Sequence, residues 1–167
     1  MRKNTALIAA ITAIALICSG CSADRKKEKN AVSFINAFYT ISFYDRAVDP
    51  LMAATGKSVE DVDSEKVSNR FQQYFTEEAF AEFSESKQWL NILDYVDVNG
   101  YLYTPEEIQL EKTEDGSYKY SLTVVVTDFV GSTPKKVSQS GSLKMTDDGK
   151  IESFDFDNAE QLQYCVL

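Results

Sequence analysis

The chain has 167 residues, with 26 acidic and 17 basic side chains, a formal charge of −9, and no histidine. That balance argues against nucleic acid as a partner, because phosphate recognition needs a basic patch, and the missing imidazole removes Ser-His and Cys-His nucleophile pairs and most zinc sites. Set apart from a leader, the length suits one domain, and 10 Phe, 9 Tyr and 1 Trp supply large apolar bodies for its core.

Arg2 and Lys3 open the chain, and Ala6 to Ile17 is apolar except for Thr12. A helix over those 12 residues spans about 18 Å, short of the roughly 30 Å hydrocarbon layer, so the run reads as a cleaved signal and not as a membrane span. Cys18-Ser19-Gly20-Cys21 follows, and the small pair before Cys21 resembles the lipobox of bacterial lipoproteins, with Cys18 where that family usually carries Leu. The resemblance implies that residues 1–20 are removed and that Cys21 becomes the first residue, thioether-linked to diacylglycerol and acylated with chains such as palmitate. The domain would then sit lipid-anchored on the extracytoplasmic side of the cell membrane, each buried methylene contributing about 0.8 kcal/mol. An ordinary signal peptide with a chance cysteine is the competing reading.

Residues 21–30, from Cys21 through SADRKKEKN, are charged and lack apolar periodicity, so they are expected to be a short solvated tether. The domain proper is expected over 31–167, where 24 acids face 11 bases, a balance of −13. Val32, Ile35, Phe38, Tyr39 and Phe43 follow helical spacing, ending near Arg46 and before Pro50. Val48 to Val62 reads as a loop with at most one helical turn at Leu51 to Ala54. A second helix begins after Asp63 or Ser64, with Val67, Phe71, Tyr74 and Phe75 as its inner stripe. Thr76-Glu77-Glu78 starts another, a Thr cap with acids in the first turn, carrying Phe80 and Phe83 inward. Trp89 to Leu93 leads into a sheet.

Beyond Asn99-Gly100 the period changes from helical to two. Strands are expected at Ile108 to Lys112, Tyr118 to Phe129, Val137 to Met145 and Lys150 to Phe156, joined at Asp115-Gly116, Gly131 to Pro134 and Asp148-Gly149. Val96 to Tyr103 is a further candidate edge strand. Tyr118, Tyr120, Leu122, Val124 and Val126 form one apolar face, which places that strand centrally in an antiparallel sheet. Ile151, Phe154 and Phe156 change parity, which marks a bulge.

A long helix, a helix running into FQQYFTEEAFAEF at Phe71 to Phe83, and a curved antiparallel sheet of four to five strands resemble the nuclear transport factor 2-like superfamily. The segment Phe75 to Phe80 is similar to one seen in small bacterial lipoproteins and conjugation-apparatus domains of that fold. The resemblance implies an α+β cone, its sheet wrapped around helices with a pocket at the open end. Members that are enzymes place an Asp, often with Tyr or His, inside the cone. Here Tyr39, Tyr101, Tyr103 and Asp128 are the candidate pocket residues, although a tyrosine on an apolar face is more often core.

Other chemistry is thin. Glu60, Asp61, Asp63 and Glu65 are acidic, but an EF-hand frame from Asp61 puts Lys66 and Gln72 where Gly and Glu belong, so no metal site is expected. Asp147-Asp148 and Asp155 with Asp157 read as turn and edge residues. Cys165 does not fit a prenylation box. It is either a buried small apolar residue or the donor of an intermolecular disulfide. The resulting expectation is a non-catalytic, cofactor-free surface lipoprotein that binds a protein partner in the envelope. The alternatives are a small-molecule carrier, or an enzyme using an Asp and Tyr pocket.

Overall fold

The computed structural model describes residues 22–40, 70–86, 101–128 and 133–157. It is an α+β arrangement: helices α1 (Ser22–Tyr39) and α2 (Glu77–Ser86) pack on one face of a curved, open, antiparallel sheet. Its strands β1 (Tyr101–Lys112), β2 (Tyr118–Asp128), β3 (Lys135–Met145) and β4 (Ile151–Phe156) lie side by side in sequence order. A 3-10 turn at Gln72–Tyr74 precedes α2.

The second half of α1 forms as its spacing dictates. Ala31, Phe34, Ile35 and Phe38 fall on one stripe, and all four, with Tyr39, are fully buried. Thr40 continues the last turn through its N–H to Asn36 O at 3.1 Å, and Arg70 Nη2 donates to Ala37 O at 2.7 Å, satisfying carbonyls that the helix end would leave open.

The first half corrects the expectation of a solvated tether over residues 22–30, because Ser22–Asn30 is helical and continuous with the rest of α1. It is latched by polar contacts in place of an apolar stripe. Lys27 Nζ meets Asp147 Oδ1 at 2.9 Å, Asn30 Nδ2 donates to Gly149 O at 2.6 Å, and Lys112 Nζ meets Asp24 Oδ1 at 2.9 Å. All three partners sit at or beside hairpin turns, so the helix N-terminal half rests on the two tight turns of the sheet.

In β2 the alternation holds along its length: Tyr118, Tyr120, Leu122, Val124 and Val126 are buried, with more exposed residues between them. The edge strand expected at 96–103 is in part the beginning of β1. Residues 101–103 are continuous with the strand placed at 108–112, and 96–100 lie outside the described residues. Thr104 to Glu107, between the two expected segments, is strand as well. Pro105 occupies a terminal strand of the described sheet, where a missing N–H is tolerated. Glu107 and Ile108 form a bulge opposite Leu122, with Glu107 at φ 54°, which resets the parity. The bulge expected near Ile151 is present: Lys144 pairs with Ser153 and Met145 with Ile151, leaving Glu152 extra.

Two turns of matching chemistry close the hairpins. In Thr113–Ser117 and Thr146–Lys150 a threonine hydroxyl donates to the aspartate two residues on, Asp115 or Asp148, and a glycine follows with φ of 83° at Gly116 or 86° at Gly149. The positive φ explains the glycine at each position.

Candidate functional site

Three of the four candidate pocket residues share one end of the β1–β2 ladder, and the fourth does not. Tyr101 and Asp128 are register partners at one end of the β1–β2 ladder, and Tyr103, buried, pairs with Val126 two residues along. Tyr39 is at the other end. Its hydroxyl lies 3.2 Å from that of Tyr120, which is eight residues from Asp128 along β2 and so about 27 Å away. Burial pushes both the Tyr39 and Tyr120 hydroxyls above the ordinary tyrosine pKa, so the pair stays neutral in the working range of a general acid or base.

The space between α1 and the sheet is filled by rings. Phe34 meets Phe38, Phe71, Tyr74, Phe75, Phe83 and Phe154 at centroid separations between 4.8 and 6.1 Å. Most of these contacts are edge to face, the arrangement that aromatic quadrupoles favour. Among the described residues no group of three or more Asp, Glu, Cys or His could hold a metal, and no helix is long and apolar enough to cross a membrane. Cys21, Cys165 and the acids at 60–65 lie outside the described residues.

The concave surface is instead on the outside, between α2 and β4. Thr76 builds one wall. Its Oγ1 accepts from Ala79 N at 3.2 Å and its carbonyl from Phe80 N at 2.9 Å, starting α2 as the Thr cap predicts. Phe83 of that helix is buried, whereas Phe80, also expected inward, is only partly so. The other wall is β4, to which the chain entering α2 is fastened: Phe75 bridges Ile151, and Thr76 N donates to Ile151 O at 3.0 Å. Lys150 Nζ donates to Gln73 O at 2.5 Å, fixing the same junction.

Beyond that junction helix and strand separate, leaving two connected depressions of about 300 and 450 Å3 that share Ala79, Glu82, Glu152 and Ser153. Phe75, Phe83 and Phe154 line the deeper part, and Glu78, Glu82, Glu152 and Asp155 stand around it. Lys144, 3.4 Å from Glu152, is the one cation among the described lining residues. Sequence reasoning took Asp155 as an edge residue, which it is, and did not single out Glu82 or Glu152. The available signal was the spacing of Glu78 and Glu82, four apart on one helix face.

No family model matches the chain, and no curated protein matches it. Among solved structures, the chain is similar to the solution structure of TraH, a protein named for transfer, from the Gram-positive conjugative plasmid pIP501. The two are 13% identical, the match covers 84% of this chain and 96% of that one, and the TM-score is 0.42. A likeness of that degree bears on neither activity nor partner.

Proposed function

We propose that this chain is a bacterial envelope lipoprotein, anchored on the extracytoplasmic face of the membrane through lipid on Cys21, whose nuclear transport factor 2-like domain binds a protein partner without catalysis. The observation that carries the binding reading is the division of the described residues into a ring-filled interior and an open groove between α2 and β4. A carrier needs an internal cavity with a few polar groups. The enzyme alternative keeps Tyr101, Tyr103 and Asp128 at one end of the β1–β2 ladder but loses Tyr39, which is a strand's length away. The apolar run before Cys21 supports the anchor. With Cys21 directly ahead of Ser22, the first residue of α1, the lipid would hold that end of the domain at the bilayer surface without an intervening linker.

Two experiments test this. Cys21→Ala should move the protein from the membrane fraction to the soluble or secreted fraction, and unchanged membrane retention would sink the anchor. Crosslinking in intact cells, followed by purification and mass spectrometry, should return one specific envelope protein. Recovery of a retained small molecule in its place would favour the carrier or the enzyme.

A further inference from the structure

We propose that the groove between α2 and β4 receives an extended, basic segment of the protein partner, which adds to β4 as a further strand. The inference rests on the interaction reading above and specifies what that partner presents.

Three observations converge on it. The first is an open strand edge. Among the described strands β4 ends the sheet order, and Phe75 with Thr76 has already begun to pair with its outer side at Ile151 before the chain turns away into α2. Asp157 N donates back to Ser140 O of β3 at 2.9 Å, so by the alternation of an antiparallel ladder the main-chain groups of Phe154 and Phe156 point away from β3, towards the groove. An extended segment laid there would continue the pairing that Phe75 starts.

The second is the floor. Phe75, Phe83 and Phe154 line it, each less than a tenth exposed, so the core behind holds the rings in place and an incoming strand would lay apolar side chains against their edges. The third is charge. Glu78 and Glu82 on the helix wall and Glu152 and Asp155 on the strand wall outnumber Lys144, so Lys or Arg between the apolar positions would be met by carboxylates. The four residues of β4 beyond the Phe75 bridge, Ser153 to Phe156, span about 13 Å, enough to pair with a segment of similar length.

The test uses the full-length protein in detergent micelles and fluorescent peptides of about six residues, one alternating Val with Lys and one alternating Val with Glu, read by anisotropy. The Val-Lys peptide should bind about tenfold or more tightly than the Val-Glu peptide at low salt. The double variant Glu82→Lys/Glu152→Lys, at two exposed positions, should reverse that preference while leaving the thermal melt in place. N-methylation of alternate peptide amides should abolish binding. Equal binding of the two peptides, a preference that survives the charge reversal, or unaltered binding of the methylated peptide would each overturn the groove.

In cells, a photo-crosslinking residue placed at Ser153 should give an adduct that disappears in the charge-reversed variant. An adduct formed only from Ser121, on β2 and two strands away from β4, would overturn the groove and leave the interaction reading standing. No adduct from either position would overturn both.

Discussion

Tyr39 of α1 and Tyr120 of β2 meet hydroxyl to hydroxyl at 3.2 Å, joining helix to sheet across 81 positions of sequence, and Tyr120 Oη also lies 3.5 Å from Asp155 O of β4. A buried polar pair of this kind specifies where α1 sits, because a shift of the helix would strand one hydroxyl without a partner. Tyr39→Phe should therefore cost about 1–2 kcal/mol in urea unfolding. Adding Tyr120→Phe should cost less than the sum of the single changes, a coupling that the double-mutant cycle measures directly.

The same tyrosine makes Gly141 irreplaceable. Gly141 is the register partner of Tyr120, and a Cβ built there would lie 2.5 Å from Tyr120 Oη and 2.7 Å from Cε1, with Asp155 O also in the way. Gly141→Ala is expected to destabilise by about 3 kcal/mol, seen as a fall in the urea midpoint. An unchanged midpoint would mean that both the Tyr120 ring and the β4 backbone at Asp155 can give way freely.

Glu107 carries the opposite expectation. It holds φ 54° within the β1 bulge, a left-handed conformation that costs a side-chain-bearing residue roughly 1–2 kcal/mol. Its Oε2 accepts from Thr123 Oγ1 at 3.4 Å, too long to offset that cost. Glu107→Gly should raise stability by about 1 kcal/mol, and Glu107→Val should lower it, as compared by thermal melts of the two variants.

Acid should loosen the first hairpin. Asp115 accepts from the Thr113 hydroxyl, from Ser117 Oγ at 2.8 Å and from Ser117 N at 3.3 Å, and these donors hold its carboxyl at about 2, below the ordinary 3.8. A carboxylate with a depressed folded-state pKa contributes stability that is fully present above its unfolded value and is lost as pH falls through the folded one. The difference in Tm between the native chain and Asp115→Ala should be constant near neutrality and shrink as pH falls from about 4 to about 2. A difference that stays constant through that window would assign the effect to turn shape and not to the charge.

Much of the sheet was legible because its rules are local. The alternation from Tyr118 to Val126, the Asp-Gly turns and the Thr76 cap each depend on residues within a few positions of one another. The first half of α1 was not legible. It is held by Asp147, Gly149 and Lys112, whose partners in the helix lie some 90 to 120 positions away. Pro105 and the acids after it concealed the start of β1, because edge position and a bulge are tertiary facts. The groove was hidden for a similar reason: Phe83 and Phe154 line it from elements distant in sequence, and nothing local marks them as neighbours.

The in-order arrangement of the four strands has a kinetic consequence. Each described strand pairs with its neighbours in sequence, so the sheet between residues 101 and 157 can zip together by closing short loops. Closing the core is another matter, since α1 precedes the sheet by more than sixty residues and Phe154 and Phe156, which pack on its Phe38, are made last. A chain delivered N-terminus first thus leaves this face of α1 only partly covered, by Phe71 to Phe83, until β4 has emerged. Docking of α1 is then the slow, final event, and the interval before it is when the chain is most open to aggregation or to a chaperone.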